Sequence, residues 1–277
     1  MRQGAYSGTR GTGSVQATDI MVIECGRIAH RVLAAERQGV VSALFRRSCY
    51  LEFAGRRTIC LGDGALGRGP LNARVERFVA PRLGEALALS ADGATLWQPP
   101  TRRGPPQRSA LDALRTAAVE RIPSDGLGAL VCGSSNALIE HARPGLAALE
   151  RWLAGGRLGG EARMLLGLGP GLTPSGDDYF GGLLIGLRAF GRPADADALW
   201  AWLGPRSVAR TSLISAAHLA AAAEGEAHES LHACLDALVD GTITGWPRRL
   251  DWLGSVGHCS GWDGLAGVLA VAERVAH

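Results

Sequence analysis

The feature that most constrains this chain is a single change of hydrophobic period along it. Cys49, Leu51 and Phe53 alternate with Ser48, Tyr50 and Glu52, and Gly55-Arg56 offers a turn into Thr58-Ile59-Cys60-Leu61. Alternation on a period of two across a turn is the pattern of a β-hairpin. Leu71 to Val75 extends it as a third strand, and Ala86 to Leu89 and Thr95 to Trp97, joined at Asp92-Gly93, predict a second hairpin. After a proline-rich stretch from Gln98 to Pro106 the period becomes helical, with Leu111, Leu114, Ala118 and Ile122 on one face. Further helices are expected near 135–153, 160–167, 176–190, 195–203, 212–224, 228–240 and 261–275, and one earlier, around Gly26 to Gln38. The fold class that follows is α+β: a β-rich N-terminal region, 19–106, and a larger, mainly helical region, 107–277. Residues 1–18, rich in Gly, Ser and Thr, are expected to form a disordered tail.

Charge excludes several chemistries. All 29 basic residues are arginine. Without lysine there is no Schiff base, no lysine-anchored pyridoxal enzyme and no phosphate loop of the lysine type. The arginines are scattered, and no basic run interleaves with aromatics as a nucleic-acid surface requires. Neither a signal peptide nor a membrane-length apolar run is present, so a cytoplasmic protein is expected. Six cysteines, Cys25, Cys49, Cys60, Cys132, Cys234 and Cys259, occur singly and read as reduced core thiols.

Two loop-to-helix junctions carry the functional signal. Gly167, Gly169 and Gly171 alternate before Thr173-Pro174-Ser175-Gly176-Asp177-Asp178, and an apolar helix follows directly. Ser175 takes the cap position with Asp178 three residues on, a variant of the capping box. Capping does not need three alternating glycines. Glycines let backbone N–H groups converge on an anion at a helix N-terminus, which makes Gly169, Gly171, Thr173, Ser175 and Gly176 candidate ligand contacts. Asp177 and Asp178 would repel a bare anion. Either a Mg²⁺ bridges them to it, or they accept hydrogen bonds from the NH₂ group of an anionic amide.

The second junction, Gly257-His258-Cys259-Ser260-Gly261-Trp262-Asp263-Gly264, repeats the first at a spacing of 85 residues. Ser260 matches Ser175, Asp263 matches Asp178 and Gly267 matches Gly182. If the two helices pair, Thr173, Asp177, Asp178, His258 and Asp263 meet in one cleft. The alternative is two independently capped helices. Two other signals compete. His228-Glu229-Ser230-Leu231-His232 matches the zincin pattern, but the two histidines lie at the edge of the buried face and no third ligand follows. A hydrolase built from Ser175 or Ser260 with His258 lacks the strained elbow around its nucleophile.

Together the segments GLGPGLTPSGDDYFGGLL, GHCSGWDGLAG, TSLISAAHLAAAAEG and the GPLN loop resemble the AllH-type subunit family, over most of residues 40 to 275. The resemblance implies a subunit of an oxamate carbamoyltransferase of allantoin breakdown, a branch of purine catabolism, working with two other subunits. Its substrates would be small anionic amides, carbamoyl phosphate and oxamate. In that setting the Gly169 to Gly176 backbone holds the anion, and Asp177 and Asp178 hold the carbamoyl NH₂ or a metal. His258 serves as acid/base or hydrogen-bond donor beside Asp178 and Asp263, Ser260 mirrors Ser175, and the GPLN loop contributes Asn72. The alternative within the same family is a non-catalytic assembly or regulatory subunit.

Overall fold

A computed structural model describes residues 19–100 and 104–276, so the expected tail lies outside the described residues. Eight strands come first: β1 Ile20–Met21, β2 Glu24–Gly26, β3 Gln38–Leu44, β4 Ser48–Phe53, β5 Arg57–Gly62, β6 Asn72–Arg74, β7 Ala86–Ser90 and β8 Thr95–Trp97. Helix α1, Arg27–Ala35, interrupts them. The helical part then runs α2 Arg108–Ala118, α3 Ala137–Leu153, α4 Ser175–Ala189, α5 Pro193–Arg210, α6 Leu213–Ala223, α7 Glu229–Val239, α8 Trp246–Gly254 and α9 Ser260–Val275. The molecule is α+β.

The sheet order is β1-β7-β3-β4-β5-β6-β2-β8. β1 and β2 are almost contiguous in the chain, yet β1 stands at one end of that order and β2 next to the other, so the sheet must curl until its ends meet. The meeting point is visible in the backbone: Val22 N–H donates to Ser90 O at 2.9 Å, and the next residue, Ile23, donates to Arg74 O at 2.8 Å. The expected hairpin of β4 and β5 forms in register from Phe53↔Arg57 to Ser48↔Gly62. Its turn holds both Gly55 and Arg56 at positive φ.

The second expected hairpin does not form. β7 pairs with β1 and β3, while β8 pairs with β2. The turn at Asp92-Gly93 is real, with Gly93 at φ +78°, but it sends the two strands to opposite ends of the curled sheet. The segment 20–26 runs between them.

Each part has its own core. Cys49, Leu51 and Phe53 of β4 point inward with Ile59, Leu61, Val41 and the α1 residues Ala29, Val32 and Leu33. Period-two alternation then turns Tyr50 outward, toward the helical part. There the core forms around Phe180, Leu183, Leu187, Leu265, Val268 and Leu269, from α4 and α9. The two parts are joined by ionic contacts of Arg27 to Glu226 and Glu224 and of Arg31 to Glu224, and by the Glu229 carboxylate accepting from Arg68 N–H at 2.8 Å.

Candidate site at two paired helix N-termini

Helices α4 and α9 pack directly against each other, with their N-termini side by side. A Cβ added to Gly182 would lie 1.9 Å from Gly264 O, and one added to Gly267 would lie 2.1 Å from Tyr179 O. These are one contact seen twice, because Tyr179 and Gly182 become Gly264 and Gly267 under the 85-residue repeat. The repeat is therefore a local two-fold, and only glycine permits so close an approach.

The serines do not cap their helices. Pro174 and Cys259 take the cap positions, and neither Ser175 nor Ser260 caps the helix it begins. The reason is the pairing itself: both hydroxyls are turned across to the opposite helix. Ser260 Oγ lies 2.9 Å from Thr173 Oγ1. The Ser175 hydroxyl sits beside Asp263, and those of Ser260 and Thr173 sit beside Asp178. Two independently capped helices are thereby excluded.

Asp177 and Asp178 part company. Asp177 is 1% exposed, and its carboxylate accepts from Gly167 N–H at 2.7 Å, Ser215 Oγ at 2.7 Å and Thr211 Oγ1. It ties the glycine loop and the start of α6 to α4. Asp178 instead faces the helix pair, and its Oδ2 is buried with no partner of hydrogen-bond geometry. Asp263 mirrors it. Asp263 Oδ1 accepts from Leu127 N–H at 2.6 Å and Gly128 N–H at 2.9 Å, while its Oδ2 is buried without a partner. Burial is the largest influence on both. It pushes the Asp178 carboxyl well above its ordinary value, and Asp263 and Asp177 add to the rise. It lifts Asp263 to about 6 against the hydrogen bonds that favour its charged form.

The backbone of the glycine loop is left-handed at three positions. Gly167, Gly169 and Gly171 all hold positive φ. Some donors nearby are already used: Gly176 N–H bonds Leu168 O, and the N–H groups of Asp177 and Asp178 both bond Pro174 O. His258 is not brought to the carboxylates. Its side chain is 81% exposed, 3.5 Å from the exposed Asp125, and it acts on Asp263 only through space. Asn72 lies in β6, where its Nδ2 donates to Gly67 O at 3.2 Å and shapes the loop over His228.

The zincin pattern is dissolved by its contacts. His232 is buried, not solvated at an edge, and its Nε2 accepts from Ala227 N–H. His228 caps α7 through Ser230 N–H. Among the described residues no group of three or more metal-ligating side chains could hold an ion. With Asp177 committed to protein donors, the site does not fit a resident Mg²⁺.

Two groups that sequence reasoning missed meet between the sheet and α6. Tyr50, turned outward from β4, places its hydroxyl 3.0 Å from His218 Nε2 on α6. Burial raises the Tyr50 phenol, with Cys60 and Asp178 contributing. Burial, then the nearby His228, lowers His218 to about 4. The partners are 168 residues apart, so no local pattern could have joined them. His218 reads from sequence as a lone histidine, structural or at the surface.

Residues 165–272 match the family model described as oxamate carbamoyltransferase subunit AllH. Over those residues the chain is AllH-like. The match begins just before the glycine loop and ends within α9, so it covers α4 and most of α9. No solved structure matches the chain. No helix among the described residues is long and apolar enough to cross a membrane.

Proposed function

We propose that this chain is a cytoplasmic subunit of an oxamate carbamoyltransferase-like complex in purine catabolism, and that the paired N-termini of α4 and α9 bind its small anionic amide. The observation that carries this reading is the pair of buried, unpartnered carboxyl oxygens, Asp178 Oδ2 and Asp263 Oδ2. A buried polar atom without a partner costs about 1–3 kcal/mol. A ligand NH₂ offers two N–H donors, one for each oxygen. The anionic end is held by the positive ends of the two helices and by the loop from Gly169 to Thr173, with Ser175, Ser260 and Thr173 as hydroxyl contacts. Carbamoyl phosphate and oxamate each join an anion to an amide and suit this division. Gly176 and Asp177 support the loop, Asn72 shapes the neighbouring one, and His258 is assigned no step.

The test is calorimetric titration of the purified chain with carbamoyl phosphate, phosphate and oxamate. Oxamate is expected to bind, and Asp178→Asn/Asp263→Asn to weaken it at least tenfold, because each Asn can present an N–H to the ligand's own N–H. Unaltered binding in that double variant sinks the reading. A second reading, a non-catalytic assembly subunit, draws on the apolar residues that the sheet exposes, Met21, Ile23, Val40, Leu44 and Phe45. It is favoured if the double variant loses the complex and keeps the ligand.

A further inference from the structure

A cavity of about 490 Å³ opens between the sheet and the helices, and no residue of α4 or α9 lines it. Leu213, Ala216, Ala217 and Ala220 stand along one side at the spacing of a single helical face, so the cavity follows α6. The alanines keep that face low. Ile28 and Val32 of α1 and Leu71 add further aliphatic wall. The hydroxyls in the lining are all engaged by the protein: Thr58 Oγ1 donates to Leu51 O at 3.0 Å, Thr211 Oγ1 to Asp177 and Ser212 Oγ to Leu172 O. The charged lining residues are three arginines and one glutamate. Arg31 pairs with Glu224 at 2.9 Å, and Arg57 with Glu36 at 3.2 Å. Arg56 has no ion-pair or hydrogen-bond partner among the described residues. It is also the one described non-glycine residue at positive φ, +59° beside Gly55 at +68°. Hairpin turns place glycine or asparagine at such positions, because a Cβ there crowds the backbone. The chain thus holds an unpaired guanidinium at the cavity in a conformation that arginine disfavours.

We propose that this cavity is a second binding site, for an aliphatic monocarboxylate whose chain lies along α6 and whose carboxylate meets Arg56. Charge decides the head group: the one unpaired ion of the lining is a guanidinium, and its planar fork matches a carboxylate. Wall chemistry decides the body. A sugar, nucleotide or peptide would bring polar groups that this lining cannot satisfy, whereas an alkyl chain loses nothing by leaving water. The site stands apart from the α4–α9 reading and does not depend on it. It is still in contact with the glycine loop, because Thr211 and Ser212 line the cavity and also hold Asp177 and the Leu172 carbonyl. An occupant packed against the start of α6 steadies that loop.

The full chain is titrated calorimetrically with octanoate, with octan-1-ol as the neutral chain and acetate as the anion without a chain. Octanoate is expected to bind one to one and octan-1-ol about tenfold or more weaker, the share of a charge-assisted hydrogen bond. Acetate should show no binding. Arg56→Gln should bring octanoate down to the affinity of octan-1-ol and leave the alcohol unchanged. Arg56→Gly should do the same and melt higher than the wild type, because glycine fits the left-handed turn without strain. In hydrogen exchange, octanoate should slow the amides of residues 211–217 and of the loop 167–172. Failure of octanoate to bind overturns the proposal and leaves the groove to a partner subunit. Equal affinities for acid and alcohol overturn it too, as do an unaltered octanoate affinity in Arg56→Gln and protection that misses α6.

Discussion

Asp177 and Asp178 are chain neighbours with opposite duties. Both oxygens of Asp177 are engaged by protein donors, so its role is to hold the glycine loop and the start of α6 in place. Asp177→Asn turns one acceptor into a donor facing Thr211 and Ser215. Hydrogen bonds to a charged group contribute about 1.5–3 kcal/mol, and a stability loss of that size is expected in urea denaturation. A variant as stable as the wild type would refute the tie. Sequence alone could not separate the two residues. The pattern Ser-Gly-x-Asp marks Asp178 and Asp263 as equivalents, but it leaves Asp177 opposite Trp262 with no rule to say which aspartate faces the ligand. The donors that decide it, Thr211 and Ser215, lie 34 and 38 residues away. Tyr50 and His218 were hidden for the same reason at a greater distance.

Elements were more legible than contacts, where the pattern was long. The helices from α3 onward, α8 excepted, follow from periodicity, and the pairing of α4 with α9 follows from the repeat. Strand β3 escaped because Val40 faces solvent and Val41 the core, so apolar residues occupy both faces and no alternation shows. Helix α8 escaped because it is short and begins with a proline after Gly245. The glycines of the crossing carry a sharper test. In Gly182→Ala or Gly267→Ala the new methyl carbon would fall about 2 Å from a backbone carbonyl, where neither helix can yield without parting. Overpacking usually costs about 1–3 kcal/mol, and this backbone clash belongs at or beyond the upper end. Gly186→Ala meets Val268 at 3.3 Å, a contact that a small shift relieves, and alanine regains about 1 kcal/mol of helix propensity. Thermal melts should therefore show Gly182→Ala and Gly267→Ala strongly destabilised and Gly186→Ala close to wild type. Equal effects at all three positions would mean that α4 and α9 do not cross as closely as this.

For the molecule as a whole, the buried carboxyl pair makes stability depend on pH in a direction opposite to the usual salt-bridged carboxylate. Asp263 rises from 3.8 to about 6 on folding, and Asp178 rises as well, so in each case the folded state prefers the proton. Their favourable contribution is complete below the unfolded value and is lost as pH climbs through the folded one. His218 and His232, each lowered to about 4, work the other way: their contribution is present above the unfolded value and is lost as pH falls toward 4. A simple pH scan of stability mixes the two. Asp263→Asn separates them, because asparagine keeps an acceptor for Leu127 and Gly128 N–H and never carries the charge. At pH 7.5 the variant is expected to be more stable than wild type by about 2–3 kcal/mol, from 1.36 kcal/mol per pKa unit. At pH 4, where the wild-type carboxyl is protonated when folded, the difference should nearly vanish. Urea denaturation of both proteins at the two pH values measures this directly. A variant less stable at pH 7.5 would mean that the Asp263 carboxylate is satisfied within the fold. The pair would then have no open valence for a ligand, and the substrate site would have to be sought elsewhere on the chain.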